Sequence, residues 1–303
     1  MSAHTTADAS RIDVAPEVPG ARALSRRRRR IGAEWLLVAP LLFIALSYLV
    51  PLAQIVIISL TEPSPHNYAK LAQSALYIRS LWVTLKIALI VMGVCVVLGY
   101  PYAYIMHMGG RRWRGVLIVL VLLPFLSSLL VRTFAWSTIL GNQGIVNDIL
   151  MGLHIVDSPV QLVKNTLGTV IGMSHILLPY LVLPTYAAMR RIDDSMVPAA
   201  LGLGASRFKA FVRVFLPLSL PGVVAGCFLV FVVSIGFYIT PALLGGAKDQ
   251  MLGQLIVLQV SPLLQFGVAS AIAVLLLAVT LLVLWLGGRL IPIGRILGYE
   301  EER

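Results

Sequence analysis

Charged residues are scarce in this chain, and the acidic ones are the scarcest. Asp, Glu, Lys and Arg make up 12% of the 303 residues, about half of their usual share in a soluble protein. Apolar residues make up 58% and the mean hydropathy is +0.90, so there is too little polar surface to cover a soluble globule. Composition therefore excludes a soluble enzyme, a secreted disulfide scaffold and a disordered chain, and it indicates an integral membrane protein.

Several chemical signatures are also missing. The only two cysteines, Cys95 and Cys227, lie in apolar stretches and lack the spacing of metal ligands. No Gly-x-x-x-x-Gly-Lys-Ser/Thr loop is present to hold ATP phosphates, and the five histidines form no zinc-binding pattern. Ser206 has no histidine near it in sequence that could activate it. We therefore expect no catalytic residue, no metal site and no cofactor in this chain.

Long apolar stretches predict an all-α integral membrane protein with six spans. A helix crosses the hydrocarbon core with about 20 apolar residues. The charge-free stretch from Gln250 to Gly288 is too long for one helix, and Pro262 is expected to divide it into a short segment and a last span. The predicted spans cover residues 35–59, 81–106, 115–140, 167–189, 218–243 and 268–285.

Basic residues predict the orientation of these spans. Most of the 24 Lys and Arg fall on one side, and the other side holds only Lys70, Arg79, Lys164 and Lys248. Because Lys and Arg mark cytoplasmic loops, both termini are expected in the cytoplasm. Residues 1–31 are predicted to form a disordered basic tail, 32–295 the six-span domain, and 296–303 a short second tail.

The cytoplasmic loop over residues 190–217 carries the clearest local pattern. Asp193 and Asp194 favour a helix start after them, and Gly204 can end that short helix, which runs through Leu203, in a left-handed conformation. Ser206 can cap a second helix. One face of this second helix is predicted to be apolar, with Phe208, Phe211, Val212 and Phe215 at helical spacing. Such a hairpin is expected to dock on a partner, and the alternative is a loop lying flat on the bilayer.

This loop resembles the one found in inner-membrane permeases of ATP-binding-cassette importers. In that family it reads Glu-Ala-Ala, three residues, Gly, nine residues, Ile-x-Leu-Pro. Here Pro198 stands in place of the glutamate and Val214 in place of the isoleucine. The residues that the resemblance assigns to coupling with an ATPase are Ala199, Ala200, Leu203, Gly204, Val214, Leu216 and Pro217.

Three further segments are similar to the spermidine/putrescine-type (polyamine/opine) branch of these permeases. They read Val-Arg-Thr-Phe-Ala-Trp at 131–136, Gly-Met-Ser-His-Ile-Leu-Leu-Pro at 172–179 and Thr-Pro-Ala-Leu-Leu-Gly-Gly at 240–246. The resemblance implies the type I importer permease fold, with a coupling helix in the loop, in the inner (plasma) membrane. It also implies a small cationic solute such as spermidine or putrescine.

The resemblance implies partners as well. They are a cytoplasmic ATPase that uses ATP and Mg²⁺, a second permease subunit that is a different chain, and a periplasmic or extracellular solute-binding protein. This chain would form half of the translocation pathway and would not itself be an enzyme.

Polar and aromatic residues within the spans are the candidates for the pathway wall. A cationic amine can lie over a Trp or Tyr ring, and the candidates are Ser128, Trp136, Tyr180 and Tyr238. The alternative is that such groups satisfy one another between helices. On that interpretation His175 is a hydrogen-bonded packing residue, and Arg132 extends toward the outer membrane surface.

Two other functional classes remain open from the sequence. An ion-coupled secondary transporter usually places a carboxylate at membrane depth, and the predicted spans contain no Asp or Glu. An intramembrane hydrolase would need a nucleophile paired with a base, and no such pair is evident around Ser206 or His175.

Overall fold

The computed structural model describes residues 30–62 and 66–290, and within these ranges every regular element is a helix. The predicted tails, 1–31 and 296–303, lie outside the described residues, except that residues 30 and 31 begin the first helix. The helices are α1 Arg30–Thr61, α2 Asn67–Gln73, α3 Ala75–Met108, α4 Arg111–Leu122, α5 Leu129–Ile139, α6 Ile145–Gly152, α7 Thr166–Met189, α8 Met196–Gly202, α9 Arg207–Ala210, α10 Leu216–Ile235, α11 Ile239–Leu244, α12 Leu252–Val260 and α13 Phe266–Leu290.

Two shorter helical segments of different pitch join these elements. A 3₁₀ turn, Leu123–Leu126, follows α4, and a π-helical turn, Phe211–Phe215, links α9 to α10. By its internal contacts the chain divides into two units, Met1–Gln54 and Ile55–Arg303. The described part of the first unit belongs to α1, and the second unit contains the remaining helices.

The spans agree in number with the sequence prediction. Five helices in the described part of the chain are long and apolar enough to cross a membrane, and a bent pair of helices makes a sixth if it is one broken span. The short segment expected before Pro262 is α12, which ends at Val260.

The third predicted span, 115–140, is wrong as a single helix. Arg111–Leu126 and Leu129–Ile139 are bent by 100° relative to each other. Ser127 and Ser128 between them are extended, with ψ of 150° and 140°. Pro124, the second residue of the 3₁₀ turn just before these serines, has no N–H to continue the helical ladder. Hydropathy does not predict this break, because it measures how apolar a segment is and not its backbone conformation.

The fifth predicted span, 218–243, is also wrong at its end. The helix α10 stops at Ile235, and α11 begins separately at Ile239. In a continuous helix the ring of Pro241 would clash with the carbonyl of Phe237. At its other end α10 is continuous with the π turn and α9, so that Arg207–Ile235 forms one candidate span of 29 residues. The second loop helix is therefore an extension of this span, and the prediction of a separate helix is corrected.

The core of the second unit lies where α3, α7 and α10 pack together. Its buried side chains come mainly from these three helices, with one from the residue that precedes α12: Ile87, Val91, Cys95, Met173, Leu177, Leu181, Val230 and Met251. A second buried cluster joins α2, α12 and α13 around Leu71, Leu255 and Ile272.

Glycines allow α7 and α10 to approach closely. A Cβ atom built on Gly226 would lie 2.9 Å from the Cα of Leu181, and one on Gly222 would lie 2.6 Å from the carbonyl oxygen of Pro184. The two glycines are four residues apart, which is the small-xxx-small spacing of close helix pairs in membranes. This contact therefore depends on the absence of side chains at both positions.

Replacing Gly222 with Ala is expected to lower the thermal unfolding midpoint of the detergent-purified protein. The new Cβ would meet backbone atoms of Pro184 and Thr185, which cannot rotate away, and such overpacking costs about 1–3 kcal/mol. The matched control is Gly93→Ala on α3, because a Cβ there has no heavy atom within 4 Å. Equal midpoints for the two variants would contradict this account of the α7–α10 contact.

Candidate functional site

The 190–217 loop begins with a capped turn. The carboxylate of Asp193 accepts the backbone N–H of Ser195 at 2.8 Å, and this hydrogen bond lowers the pKa of the exposed Asp193 below its usual value. The backbone N–H of Met196 donates to the carbonyl of Asp193 at 3.1 Å. These bonds start α8 where the two aspartates predict a helix.

A left-handed glycine ends α8. Gly204 has φ of +87°, its N–H donates to the carbonyl of Leu201, and the N–H of Ala205 donates to the carbonyl of Ala200. These bonds satisfy carbonyls that a helix terminus leaves open. The predicted short helix and left-handed Gly204 are confirmed, with the last helical residue at Gly202.

Apolar side chains are exposed around this turn. Leu203 is 91% exposed and Phe208 is 76% exposed. Ala199 and Gly204 are also exposed, and Ala200 is half-buried. We call Ala199, Leu203, Gly204 and Phe208 the exposed ridge. The sequence predicted one apolar face that holds Phe208 together with Phe211 and Phe215. The structure separates them, because Phe208 is exposed whereas Phe215 is buried.

The other aromatic side chains of the loop anchor it to α3. The ring of Tyr104 contacts the rings of Phe211 and Phe215 edge-on, with both centroid distances at 5.3 Å. His107 lies 5.2 Å from Phe215 between ring centroids, and the hydroxyl of Tyr100 is 3.0 Å from that of Ser219. The π turn that carries both phenylalanines is therefore attached to the end of α3.

The π turn also explains where the second half of the sequence motif lies. Val214 is within it, and Leu216 and Pro217 are the first residues of α10. Pro217 has no N–H and its ring would crowd the carbonyl of Arg213 in an ordinary α-helical turn. A wider π turn before the proline relieves this crowding, so α9 and α10 remain one continuous helix.

A cavity of about 470 Å³ lies between α8 and the end of α3. Its wall includes Tyr104, His107, Val197, Leu201 and Phe211. The packing between α8 and α3 is thus incomplete, although Phe211 and Phe215 of the π turn, which also line the cavity, contact the ring of Tyr104. Between α8 and α9, the hydroxyl of Ser206 accepts the N–H of Lys209 at 3.3 Å, which confirms the predicted cap of the second helix.

The four candidate pathway residues occupy different local settings. Ser128 is the residue before α5, at the break of the bent span. The indole N–H of Trp136 donates to Nδ1 of His175 at 3.2 Å. The ring of Tyr180 contacts that of Phe125 edge-on at 5.4 Å between centroids. Tyr238 precedes α11 and is 42% exposed.

Part of this set is satisfied by neighbours, as the alternative interpretation expected. His175 is a hydrogen-bonded partner of Trp136, and the hydroxyls of Thr133 and Thr240 lie 3.2 Å apart in the same region. The sequence analysis missed this threonine pair, although the segments that contain both threonines were singled out. The chain thus joins α5 to α7 and α11 by side-chain hydrogen bonds.

Arg132 is a partly buried arginine within the bent span. Its Nε and Nη1 atoms are buried and have no hydrogen-bond partner among the described residues. Extension of the terminal Nη2 atom toward the outer membrane surface stays a prediction. Within residues 30–62 and 66–290, no group of three or more His, Cys, Asp and Glu is placed to hold a metal ion.

Comparison with known proteins gives consistent similarities. Residues 96–292 match the family described as binding-protein-dependent transport system inner membrane component. The spermidine/putrescine transport system permease protein PotB of Escherichia coli strain K12 is 34% identical over 228 residues, which are 74% of this chain and 82% of that protein. PotB of Haemophilus influenzae is 36% identical over 63% of this chain and 66% of its own length.

Solved structures share the fold. A bacterial alginate ABC transporter, in complex with an alginate pentasaccharide-bound periplasmic protein, contains a chain that superposes with a TM-score of 0.66 and 19% identity. That alignment covers 88% of this chain and 96% of the other. The MetNI methionine ABC transporter gives a TM-score of 0.54 with 16% identity, over 70% of this chain and 93% of the other. The predicted all-α membrane permease fold is confirmed.

Gly204→Val is expected to disorder the end of α8, because a β-branched residue at φ of +87° is strained by about 1–2 kcal/mol or more. Hydrogen exchange of residues 196–206 should become faster than in the unsubstituted protein. The control is Gly202→Ala, two residues earlier, where a new Cβ likewise has no heavy atom within 4 Å but the backbone is helical. Unchanged protection in Gly204→Val would show that the left-handed turn does not stabilise the loop.

Proposed function

Because the chain belongs to the family of binding-protein-dependent transport system inner membrane components, we propose that it forms half of the pathway for a small cationic amine such as spermidine or putrescine. It is a multi-pass permease subunit of an importer in the inner membrane. The observation that carries the solute class is the 34% identity to a spermidine/putrescine permease over 74% of this chain. The aromatic rings of Trp136, Tyr180 and Tyr238 are suitable neighbours for an ammonium group.

The exposed ridge is the proposed docking site for a separate ATPase. Leu203 and Phe208 are large apolar side chains exposed to 91% and 76%, and small residues around them permit close approach to a groove. Pro198 replaces the acidic residue of the motif, so docking would rest on shape and apolar burial rather than on an ion pair there. ATP and Mg²⁺ would be bound and hydrolysed in that partner, with no cofactor in this chain.

The loop is also the most basic connection between two spans. It contains five basic residues, which are Arg190, Arg191, Arg207, Lys209 and Arg213. Loops rich in Lys and Arg face the cytoplasm. This supports placing the exposed ridge, and both termini, on the side where ATP is found. The opposite side would receive the solute from a periplasmic or extracellular binding protein, as in the alginate transporter complex.

The helix that joins the loop to the core supports a route for coupling. Movement of α8 by the ATPase would displace α9, the π turn and α10 as one continuous helix. Phe211 and Phe215 would carry the same displacement to Tyr104 on α3. Since α3 and α10 both pack on α7, the three core helices would move together, and a second permease subunit with a different sequence would complete the pathway.

A second candidate solute class comes from Arg132. Its buried Nε and Nη1 atoms have no hydrogen-bond partner among the described residues, and this would favour a solute that carries an anionic group. The putative 2-aminoethylphosphonate transport system permease protein PhnU of Salmonella typhimurium is 29% identical over 63% of this chain. An ion-coupled secondary transporter is not favoured, because the candidate spans in the described residues contain no Asp or Glu and the family works with binding proteins.

The docking proposal predicts that Leu203→Ser reduces co-purification of the ATPase. Burial of a leucine side chain contributes about 1.5–3 kcal/mol, so its loss should weaken the complex by about tenfold to a hundredfold. The matched control is Leu153→Ser, which changes another exposed leucine, 65% exposed, at the end of α6. Mass analysis of the tagged, detergent-purified complex gives the result. Equal recovery of the ATPase with both variants would overturn the docking assignment.

The solute proposal predicts ATP-dependent uptake of labelled spermidine by proteoliposomes that contain the complex and its binding protein. Omitting ATP or the binding protein is expected to abolish uptake. Uptake of 2-aminoethylphosphonate, with no uptake of spermidine, would favour a solute that carries an anionic group. Uptake by this chain alone, driven by an ion gradient, would contradict the importer assignment.

A further inference from the structure

The hydrogen bond between Trp136 and His175 lies where the broken third span meets the core. The indole N–H donates to Nδ1 at 3.2 Å, and the two rings are edge-on, with centroids 5.5 Å apart and an interplanar angle of 66°. Both side chains are half-buried. An indole N–H without a partner is costly in an apolar environment, so this bond restricts the orientation of the Trp136 ring.

The bond also determines which form His175 takes. An indole nitrogen can only donate a hydrogen bond, so Nδ1 of His175 must carry a lone pair. The imidazole is therefore neutral with its proton on Nε2. A protonated imidazole would offer a donor at both nitrogens and could not accept from Trp136.

Trp136 lies on α5, which packs against α7 and α11. The helix α5 has 11 residues and follows a 100° bend, so the preceding helix does not fix its direction. Its contacts with α7 and α11 include two side-chain hydrogen bonds, from Trp136 and from Thr133, three residues apart and so on one face of the helix. The bond to His175 thus also orients α5 against the core.

We propose that His175 is a positioning residue that holds the indole of Trp136 in the orientation a cationic amine needs as it crosses the membrane. It would act through Trp136 and would not itself touch the solute. This inference rests on the proposed function, because it assigns the aromatic surface of that pathway. The property of His175 that this role requires is the hydrogen-bond acceptor at Nδ1, and not the charge or the volume of the side chain.

The test compares four variants in the complete complex: His175→Asn, His175→Leu, Trp136→Phe and the Trp136→Phe/His175→Leu double variant. Asparagine places an oxygen acceptor close to the position of Nδ1, whereas leucine removes the acceptor and keeps an apolar side chain of moderate size. Phenylalanine keeps an aromatic face but lacks the N–H donor. Gly93→Ala, whose new Cβ has open space around it, is the control for substitution as such.

The expected result is a change in maximal rate. His175→Leu should lower the maximal rate of ATP-driven spermidine uptake by about threefold to tenfold, the size of effect expected for one side-chain hydrogen bond between membrane helices. The half-saturating concentration should not change, because the binding protein captures the solute. His175→Asn should recover most of the rate, and Trp136→Phe should match His175→Leu.

The double variant separates positioning from independent effects. If His175 acts through the indole N–H, the double variant should be no slower than either single variant. Rates that multiply, or an asparagine variant as slow as the leucine variant, would overturn the proposal. Thermal midpoints measured in parallel should fall furthest in His175→Leu, which leaves the indole N–H of Trp136 without its partner, so uptake is compared at a temperature well below every midpoint. A loss of rate that tracks the fraction of unfolded protein would also overturn the proposal.

Tryptophan emission distinguishes failure of this inference from failure of the proposed function. His175→Leu should shift the emission of the purified protein, and the shift should be absent when Trp136 is already phenylalanine. If the unsubstituted complex takes up no spermidine, the solute proposal fails, and the emission difference still decides whether His175 holds the indole. No emission change on His175→Leu would reject the positioning role whatever the solute.

Discussion

The close contact between α7 and α10 is the constraint on which the other contacts of the core depend. Lipid is as apolar as the side chains, so helices in a membrane gain little from apolar burial against each other and instead need close packing and interhelical hydrogen bonds. Gly222 and Gly226 supply that close packing. The helix α7 in turn contacts α3, α4, α5 and α11, so the position of these elements follows from the same contact.

Polar side chains connect the parts that this packing does not reach. The hydroxyl of Thr84 on α3 accepts the first backbone N–H of α12, that of Leu252, at 2.9 Å. Thr166 at the start of α7 donates to the carboxylate of Asp249 at 2.6 Å. The first of these bonds satisfies a backbone N–H at the start of a short helix, which would otherwise stay unpaired in an apolar environment. The second connects α7 to the segment between α11 and α12. The interruptions of the spans are therefore tied to the core.

One part of the 190–217 loop is packed against α3, and the other part is exposed. The π turn is held on Tyr104 by two edge-on aromatic contacts, whereas α8 lies over a cavity of about 470 Å³ and presents the exposed ridge outward. Under the proposed docking, a partner would contact the exposed end, which the continuous helix α9–α10 connects to the core. The left-handed Gly204 makes this shape possible, since a Cβ at φ of +87° would be strained.

The sequence by itself determined the class of protein, the number of spans, the short helix and the left-handed Gly204, because hydropathy and turn chemistry are local properties. It did not determine the bend before Leu129, the break at Gly236 or the outward position of Phe208. These features depend on tertiary neighbours. Such neighbours decide which groups pair with the backbone where a helix stops and which side chains are buried. Only the tertiary structure paired Trp136 with His175, since residues 39 positions apart meet through packing on α7 and not through any local pattern.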